Sequence, residues 1–284
     1  MAAENETVSQ AVKGALEKIQ QNAPEEFSKM NADPKVRDAV TEAAGAAATE
    51  EVKLAHEFSS RPDEDIRQRL AKHLPEDRIK LIEEALSIPT FRMEITQKSD
   101  GKYLVQMTRE GKEFLPEKEL TTVGDIQWAS ILQEASILVE AILLVMSAVG
   151  LKPSVSQSTM RATIEDTAEA IERSSALQRA IAKFISSWHA AGGSAYKRAK
   201  AIFILLKESY AAGIVWTIIK SLCREMKWYD WLETAAKVTA MIIAALATEG
   251  AALIARIALV VMSAVDFIRK LANLVKLEEI KQNL

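Results

Sequence analysis

Apolar residues recur at helical spacing in the first part of the chain. Within residues 1–89 they form short amphipathic stripes, and the first stripe contains Val8, Leu16 and Ile19. Asp33 followed by Pro34 is typical of a helix N-cap and a first helical position, so a further helix is predicted to begin there. The pattern indicates several amphipathic helices that each bury one face.

The period of the pattern changes near residue 90. Apolar and polar residues alternate strictly over residues 91–97 and again over residues 103–107, which is the pattern of half-buried strands. Ser99-Asp100-Gly101 lies between them and is a turn sequence. We therefore expect a β-hairpin, or a three-stranded meander, within residues 90–120.

Long helices are predicted from Thr122 onwards, separated by breaks that contain Gly, Pro or Ser. They cover residues 125–150, 154–191, 194–226, 229–248 and 251–277. The predicted fold class is mainly α, a multi-helix bundle with a small inserted β-hairpin or meander. Its segments are residues 1–89, 90–120 and 121–284, arranged separately or as one compact domain.

Charge is divided unevenly between the two parts of the chain. Residues 1–120 carry 24 acidic and 18 basic side chains, whereas residues 121–284 carry 15 acidic and 18 basic ones and all five tryptophans. We expect the acidic helices to pack on the apolar bundle and shield it from water, each buried side chain contributing roughly 1.5–3 kcal/mol. The side chains expected at that contact are Val36, Val40, Leu70, Ile79 and Ile82.

Candidate chemistry is sparse. His56, His73 and His189 lack the spacing of metal ligands, and the single cysteine, Cys223, reads as a buried structural thiol. The compact basic cluster Lys197-Arg198-Ala199-Lys200 is explained by a solvated helix end, so no nucleic-acid partner is expected. The sequence predicts no catalytic residue, no cofactor and no metal, and hence a protein that is not an enzyme.

The membrane question depends on the apolar helices. The longest stretch without a charged residue is only 13 residues, 184–196, and residues 1–21 do not resemble a signal peptide. A soluble protein is expected, stored in the cytoplasm or released by a non-classical route. However, residues 229–248 and 250–269 form two arms of 20 residues, about 30 Å each as helices. Both arms are apolar nearly all round, so they are buried either in protein or in lipid.

The candidate insertion residues lie in these arms and in the first long helix. Those of the arms are Trp228, Trp231, Ile242, Leu246, Leu253, Leu259 and Met262. A secondary set in the first long helix comprises Leu138, Ile142, Leu144 and Met146. Glu249-Gly250 is expected to form the tip of a helical hairpin, with the tryptophans at its other end as an interfacial belt.

This arrangement resembles α-helical pore-forming toxins of the colicin type, in which a helical bundle shelters an apolar helical hairpin. The matching residues are 238–265, supported by 137–149. The resemblance implies release of the hairpin into a membrane. The hairpin over residues 91–107 is similar in position to the β-tongue of cytolysin A-type toxins. It departs from that pattern because Arg92, Glu94 and Lys98 make it amphipathic.

Two principal functions are weighed. The leading hypothesis is a soluble, membrane-active helical protein, a pore-forming toxin or defence protein, with a lipid membrane as conditional partner and a homo-oligomer on insertion. The alternative is a non-enzymatic binding or scaffold protein whose apolar helices form an ordinary core or an oligomer interface. A third reading, a small-ligand carrier, would need a cavity among Trp188, Trp216 and Met241.

Overall fold

The computed structural model describes residues 2–59, 65–84, 91–109, 111–151, 155–261 and 265–283. Within these residues the chain forms 13 helices and one three-stranded antiparallel sheet. The predicted mainly α fold with a small β meander is therefore confirmed.

Five helices precede the sheet. They are α1 (Ala2–Asn22), α2 (Pro24–Ala32), α3 (Pro34–Phe58), α4 (Ile66–Ala71) and α5 (Glu76–Glu83). The predicted helix start at Asp33 is confirmed, because its carboxylate accepts hydrogen bonds from the backbone N–H groups of Lys35 and Val36, at 3.0 and 3.4 Å. Helices α1 and α3 are the longest of the five, and we refer to α1–α5 together as the cover.

The sheet consists of β1 (Phe91–Gln97), β2 (Tyr103–Arg109) and β3 (Lys112–Leu120), in that spatial order. In the turn between β1 and β2, Gly101 adopts a φ of +85°, and Met93 pairs with Met107 in register. Two side chains of the last helix hold β1 to the bundle, since Asn273 donates to the Met93 carbonyl at 2.7 Å and Lys276 to the Ile95 carbonyl at 2.9 Å.

Eight helices follow the sheet. They are α6 (Val123–Ala148), α7 (Gln157–Arg173), α8 (Ser175–Ala190), α9 (Ala195–Ala211), α10 (Ile214–Leu222), α11 (Trp228–Ala247), α12 (Ala251–Val261) and α13 (Val265–Gln282). Buried side chains from the cover, the sheet and these helices form one contiguous hydrophobic core. Helix α6 runs through it, in contact with α5, α7, α9, α10, α12 and α13.

Two of the predicted long helices, over residues 154–191 and 194–226, are interrupted, so their prediction as single helices is wrong. Ser174 takes an extended conformation between α7 and α8, and its side chain caps α8 by accepting from the Leu177 N–H at 3.3 Å. Gly213 has a φ of +79° and turns the chain by 95° between α9 and α10. The helix predicted over residues 251–277 is described as α12 and α13, and residues 262–264 lie outside the described part of the chain. The break at Ser174 takes one residue, and the break before Ile214 takes two, residues 212–213.

Candidate functional site

Helix α6 is, among the described residues, the one continuous helix long and apolar enough to cross a membrane. Its 26 residues correspond to about 39 Å, whereas the hydrocarbon core of a bilayer is about 30 Å thick. A capping box of Thr122 and Asp125 closes its N-terminus: the Asp125 N–H donates to the Thr122 hydroxyl and the Asp125 carboxylate accepts from the Thr122 N–H. Although the helix is apolar, 83 % of its most apolar 18-residue stretch is buried inside the bundle.

The secondary candidates lie in this helix. Leu138, Ile142, Leu144 and Met146 are all buried there. The sequence analysis ranked them below the arms, but the structure places them in the helix that best meets the length of a membrane span.

The predicted hairpin of residues 229–269 is wrong. Helices α11 and α12 are bent by 109° at their junction and share few contacts, so they do not lie side by side. The turn needs left-handed backbone at Glu249 and Gly250, with φ values of +55° and +75°. A Cβ on Gly250 would lie 2.6 Å from the Phe203 ring, so the backbone passes directly over that ring.

The primary candidates are distributed over the core and its edge. Trp231, Ile242 and Leu253 are buried; Trp228, Leu246 and Leu259 are partly buried; Met262 lies outside the described residues. Trp231 meets Trp216 edge-on, with ring centroids 6.2 Å apart, and is therefore a core residue. The expected interfacial belt of both tryptophans is not present in this fold.

The cover packs on these apolar helices, as predicted. Helices α1 and α3 lie against α11, while α3, α4 and α5 contact α12. Of the side chains expected at that contact, Val40, Leu70, Ile79 and Ile82 are buried and Val36 is partly buried. The shielding role of the cover has a structural basis in these contacts.

A buried ion network joins the cover to α12 and α6, and we call it the polar interface. Arg256 of α12, 1 % exposed, donates to Glu51 of α3 at 2.9 Å and to the neighbouring Glu50 at 2.9 Å. Glu51, fully buried, also accepts from the Leu253 N–H at 3.0 Å. Arg78 of α5 donates to Glu50 at 3.0 Å and to the Ala148 carbonyl, at the C-terminus of α6, at 3.0 Å.

The polar interface is electrostatically costly to bury. Burial raises the pKa of the Glu51 carboxyl above its ordinary value, and the Arg256 guanidinium and the Leu253 N–H offset this only in part. The Nε of Arg256 has no hydrogen-bond partner among the described residues. A buried pair of this kind adds little net stability, but removal of one partner leaves an uncompensated charge. The network therefore specifies how α3 sits on α12 more than it stabilises the fold.

A contrasting contact joins α1 to α11, and we call it the small-residue interface. The buried face of α1 consists of Ala11, Ala15 and Ile19, and Gly14 lies beside them. A Cβ on Gly14 would be only 2.8 Å from Cδ1 of Ile243, so the two helices approach closely because this position has no side chain. The buried residues of α1 at this contact are all apolar, and two of the three are alanines.

Two further carboxylates lie on α6. Glu140 forms a buried ion pair with Lys270 of α13. Glu134, half-buried, lines a cleft of about 290 Å³ with Ser130, Gln178 and Leu277. Burial raises the pKa of the Glu134 carboxyl to about 7 in the folded bundle, against a smaller opposing effect of a hydrogen bond from Ser130. Unlike Glu51, this carboxylate has no ion pair with a described residue.

No group of three or more His, Cys, Asp or Glu side chains that could hold a metal ion occurs within the described residues. Cys223 is buried, and burial raises the pKa of its thiol to about 12, so the thiolate is scarce at neutral pH. The space beside Trp216 holds about 40 Å³ and is lined by Tyr210 and Val215 among others, without Trp188 or Met241. Ligand sites are usually about 300–1,000 Å³.

Comparisons with known proteins identify no relative. No protein-family model, no curated protein and no solved structure matches this chain. The geometry of the apolar helices, and of the interfaces that cover them, is therefore the basis for inferring a function.

The sequence analysis missed the polar interface. Glu51 and Arg256 are 205 residues apart along the chain, and no local pattern pairs them. A signal was present, because Arg256 is an arginine within an apolar helix and Glu51 lies on an apolar stripe of α3. Buried charges are almost always paired, so each of them predicts a partner of opposite sign without identifying it.

Proposed function

We propose that this chain is a membrane-active helical protein, a pore-forming toxin or defence protein, that inserts apolar helices into a lipid bilayer after its cover moves. The observation that supports this most strongly is α6, a helix of membrane-spanning length that the rest of the bundle encloses. A helix that is apolar all round is stable only inside protein or inside lipid, so opening of the bundle leaves lipid as its alternative.

The geometry favours α6 over α11 and α12 as the first helix to insert. The bend of 109° prevents α11 and α12 from forming one straight span, whereas α6 is continuous over the length of a bilayer. Insertion of α6 alone makes no pore, and several copies would be needed. A homo-oligomer on the membrane is therefore part of the proposal.

The charges on α6 set the cost of insertion. A lone charged side chain at the bilayer centre costs about 2.5–3.5 kcal/mol on insertion scales. Glu140 is paired with Lys270 of α13 in the bundle, and the cost is smaller if the carboxylate faces a water-filled pore. The cover contributes the other restraint, because Arg78 and Arg256 tie α6 and α12 to α3.

The experiment is release of an encapsulated dye from vesicles of phosphatidylcholine and phosphatidylglycerol by the full chain. Glu51→Gln weakens the polar interface while keeping the hydrogen bond from Leu253, and we expect it to release dye faster than the unmodified chain. The matched control is Glu42→Gln, an exposed glutamate on the same helix α3. The control removes the same charge and should behave as the unmodified chain does.

The position of α6 is followed with an environment-sensitive fluorophore at residue 142, in an Ile142→Cys, Cys223→Ser variant. Blue-shifted emission and quenching by brominated lipid acyl chains, together with dye release, are the results expected for insertion. Absence of release by every variant, with residue 142 still protected from lipid quenchers, would falsify the proposal.

The competing function is a non-catalytic helical scaffold. Enclosure of α6, with its central side chains fully buried, is also what an ordinary core requires, and this observation favours it. Light scattering with and without vesicles separates the two functions. A particle whose mass is the same with and without vesicles supports the scaffold function.

A further inference from the structure

One surface of the molecule has an unusual charge composition. From Ser174 to Lys207 the chain carries six Lys or Arg residues and no Asp or Glu, although the whole chain has a net charge of −3. These residues form α8 and α9, two helices that pack against each other and are joined by residues 191–194. We call this unit the basic hairpin.

The cations of the basic hairpin are exposed and largely uncompensated. Lys183, Lys197, Lys200 and Lys207 are exposed, and none of them forms an ion pair with a described residue. By contrast, Lys102, in the turn between β1 and β2, forms an ion pair with Glu119 of β3, with its Nζ 2.7 Å from the carboxylate oxygen. The positive potential of the hairpin is therefore not cancelled by acidic partners.

Small side chains are exposed between the cations of α8. The exposed side chains of α8 include Ala176, Ala182, Ser186 and Ala190. Lys197 and Lys200 lie in the first two turns of α9, whose N-terminus already has a positive partial charge, so they are unfavourably placed in the free protein. An anionic surface in contact with the hairpin would attract both these lysines and the positive N-terminus of α9.

We propose that the basic hairpin is the surface on which this protein docks to an anionic lipid bilayer. The recognised groups are the phosphates of lipid headgroups, which approach the exposed lysines without a shaped pocket. The inference rests on the proposed membrane function and specifies its first step. Because α9 packs against α6 and α12, docking through the hairpin brings both apolar helices close to the bilayer before any of them leaves the bundle.

The charge distribution favours a membrane over a nucleic acid. A duplex presents a narrow, grooved array of phosphates, for which arginine forks and aromatic side chains are typical partners. The exposed cations of the hairpin are mostly lysines separated by alanine and serine, and Arg198 lies over the Trp188 ring, with its guanidinium carbon 5.1 Å from the ring centroid. Binding to nucleic acid is an outcome that the test includes.

The test measures binding of the full chain to vesicles by co-sedimentation, with phosphatidylcholine alone and with phosphatidylcholine containing phosphatidylglycerol. The variant is Lys183→Gln, Lys197→Gln, Lys200→Gln. We expect about a 100-fold loss of affinity for the anionic vesicles at low salt, since each lysine near such a surface contributes about fivefold. Raising the salt concentration should reduce the binding of the unmodified chain.

The matched control removes three exposed lysines from the cover, which also lack a described ion pair: Lys29→Gln, Lys35→Gln, Lys53→Gln. The control should lose at most a few-fold in affinity, and both variants should keep the melting temperature of the unmodified chain. Equal losses in the two variants, or no loss in either, overturn the proposal. Tighter binding of a 30-base-pair duplex than of vesicles, abolished by the hairpin variant, overturns it in favour of nucleic acid.

Dye release distinguishes this proposal from the one it rests on. Hairpin-dependent binding without release supports docking and contradicts insertion. Release that the hairpin variant performs with unchanged binding supports insertion and contradicts docking at this surface.

Discussion

The cover meets the apolar helices through two interfaces that use opposite chemistry. In the polar interface, α3 and α12 bury Glu51 against Arg256, at 2.9 Å. In the small-residue interface, α1 approaches α11 so closely that a Cβ on Gly14 would be 2.8 Å from Ile243. The polar interface fixes the position of α3 on α12, but burial of its charges costs energy. The small-residue interface is stabilised by apolar packing between α1 and α11. The comparison indicates where the cover is restrained and where it is simply in contact.

The largest effect is expected at the polar interface. Arg256→Met leaves the buried Glu51 carboxyl without its guanidinium partner, and should lower the free energy of unfolding by about 3–5 kcal/mol. The double variant Glu51→Leu, Arg256→Met removes both charges and should recover most of this loss. Urea unfolding monitored by tryptophan fluorescence measures both values. Additive losses would show that the two side chains do not act as a pair.

Glu134 is a half-buried carboxylate without an ion pair to a described residue, and can be compared with Glu51, which is paired with Arg256. The pKa of Glu134 is raised to about 7 in the folded bundle, from an ordinary 4.5. The folded state therefore binds the proton more tightly than the unfolded state, so ionised Glu134 opposes folding above pH 7 and this penalty disappears as the pH falls towards 4.5.

Glu134→Gln should accordingly raise the free energy of unfolding by about 1–3 kcal/mol at pH 8, since one pKa unit corresponds to about 1.4 kcal/mol and the group is only partly exposed. At pH 4.5 the substitution should have almost no effect. Denaturant unfolding at the two pH values is the measurement. Glu278→Gln, an exposed glutamate of the same cleft, is the control and should be neutral at both.

The small-residue interface should give the smallest effect. Gly14→Ala and Gly45→Ala both replace a glycine inside a helix, which alone is worth up to about 1 kcal/mol. The Gly45 position has room, with Val12 at 3.9 Å, so that variant should be stabilised. Gly14→Ala should lose this gain because the Ile243 side chain must move. Ile243→Val removes the obstructing Cδ1 atom, and in that background the two alanine variants should match in melting temperature.

Local patterns predicted the elements better than their assembly. The strand alternation and the Asp33 cap depend on residues within a few positions of each other, and both were confirmed. The breaks at Ser174 and Gly213 were missed because one or two residues turn the chain and apolar residues resume soon after each break. The predicted hairpin of the arms is wrong because α11 and α12 meet at a bend of 109°, where Gly250 lies against Phe203, a residue distant in the chain.

The candidate site was predictable only in part. The apolar character of α6 follows from its residues, so Leu138 and Ile142 could be singled out from the sequence. That α6 meets the length and apolarity of a span by itself, whereas α11 and α12 do so only together across a bend of 109°, depends on where the turns fall. The partners of Arg256 lie in a helix more than 200 residues earlier, so only the folded chain brings them together.

The two ends of α6 are closed by residues of different origin. Its N-terminal cap is formed by Thr122 and Asp125, which adjoin or belong to the helix in the chain, and Asp125 also pairs with Lys118 of β3 at 2.9 Å. Its C-terminal carbonyl at Ala148 is bound by Arg78, a residue of the cover, whose guanidinium passes so close to Gly150 that any side chain there would overlap it. The N-terminal cap therefore does not depend on the cover, whereas the contact at the C-terminus does. Removal of the cover frees the C-terminal end first, while the N-terminal end is already complete.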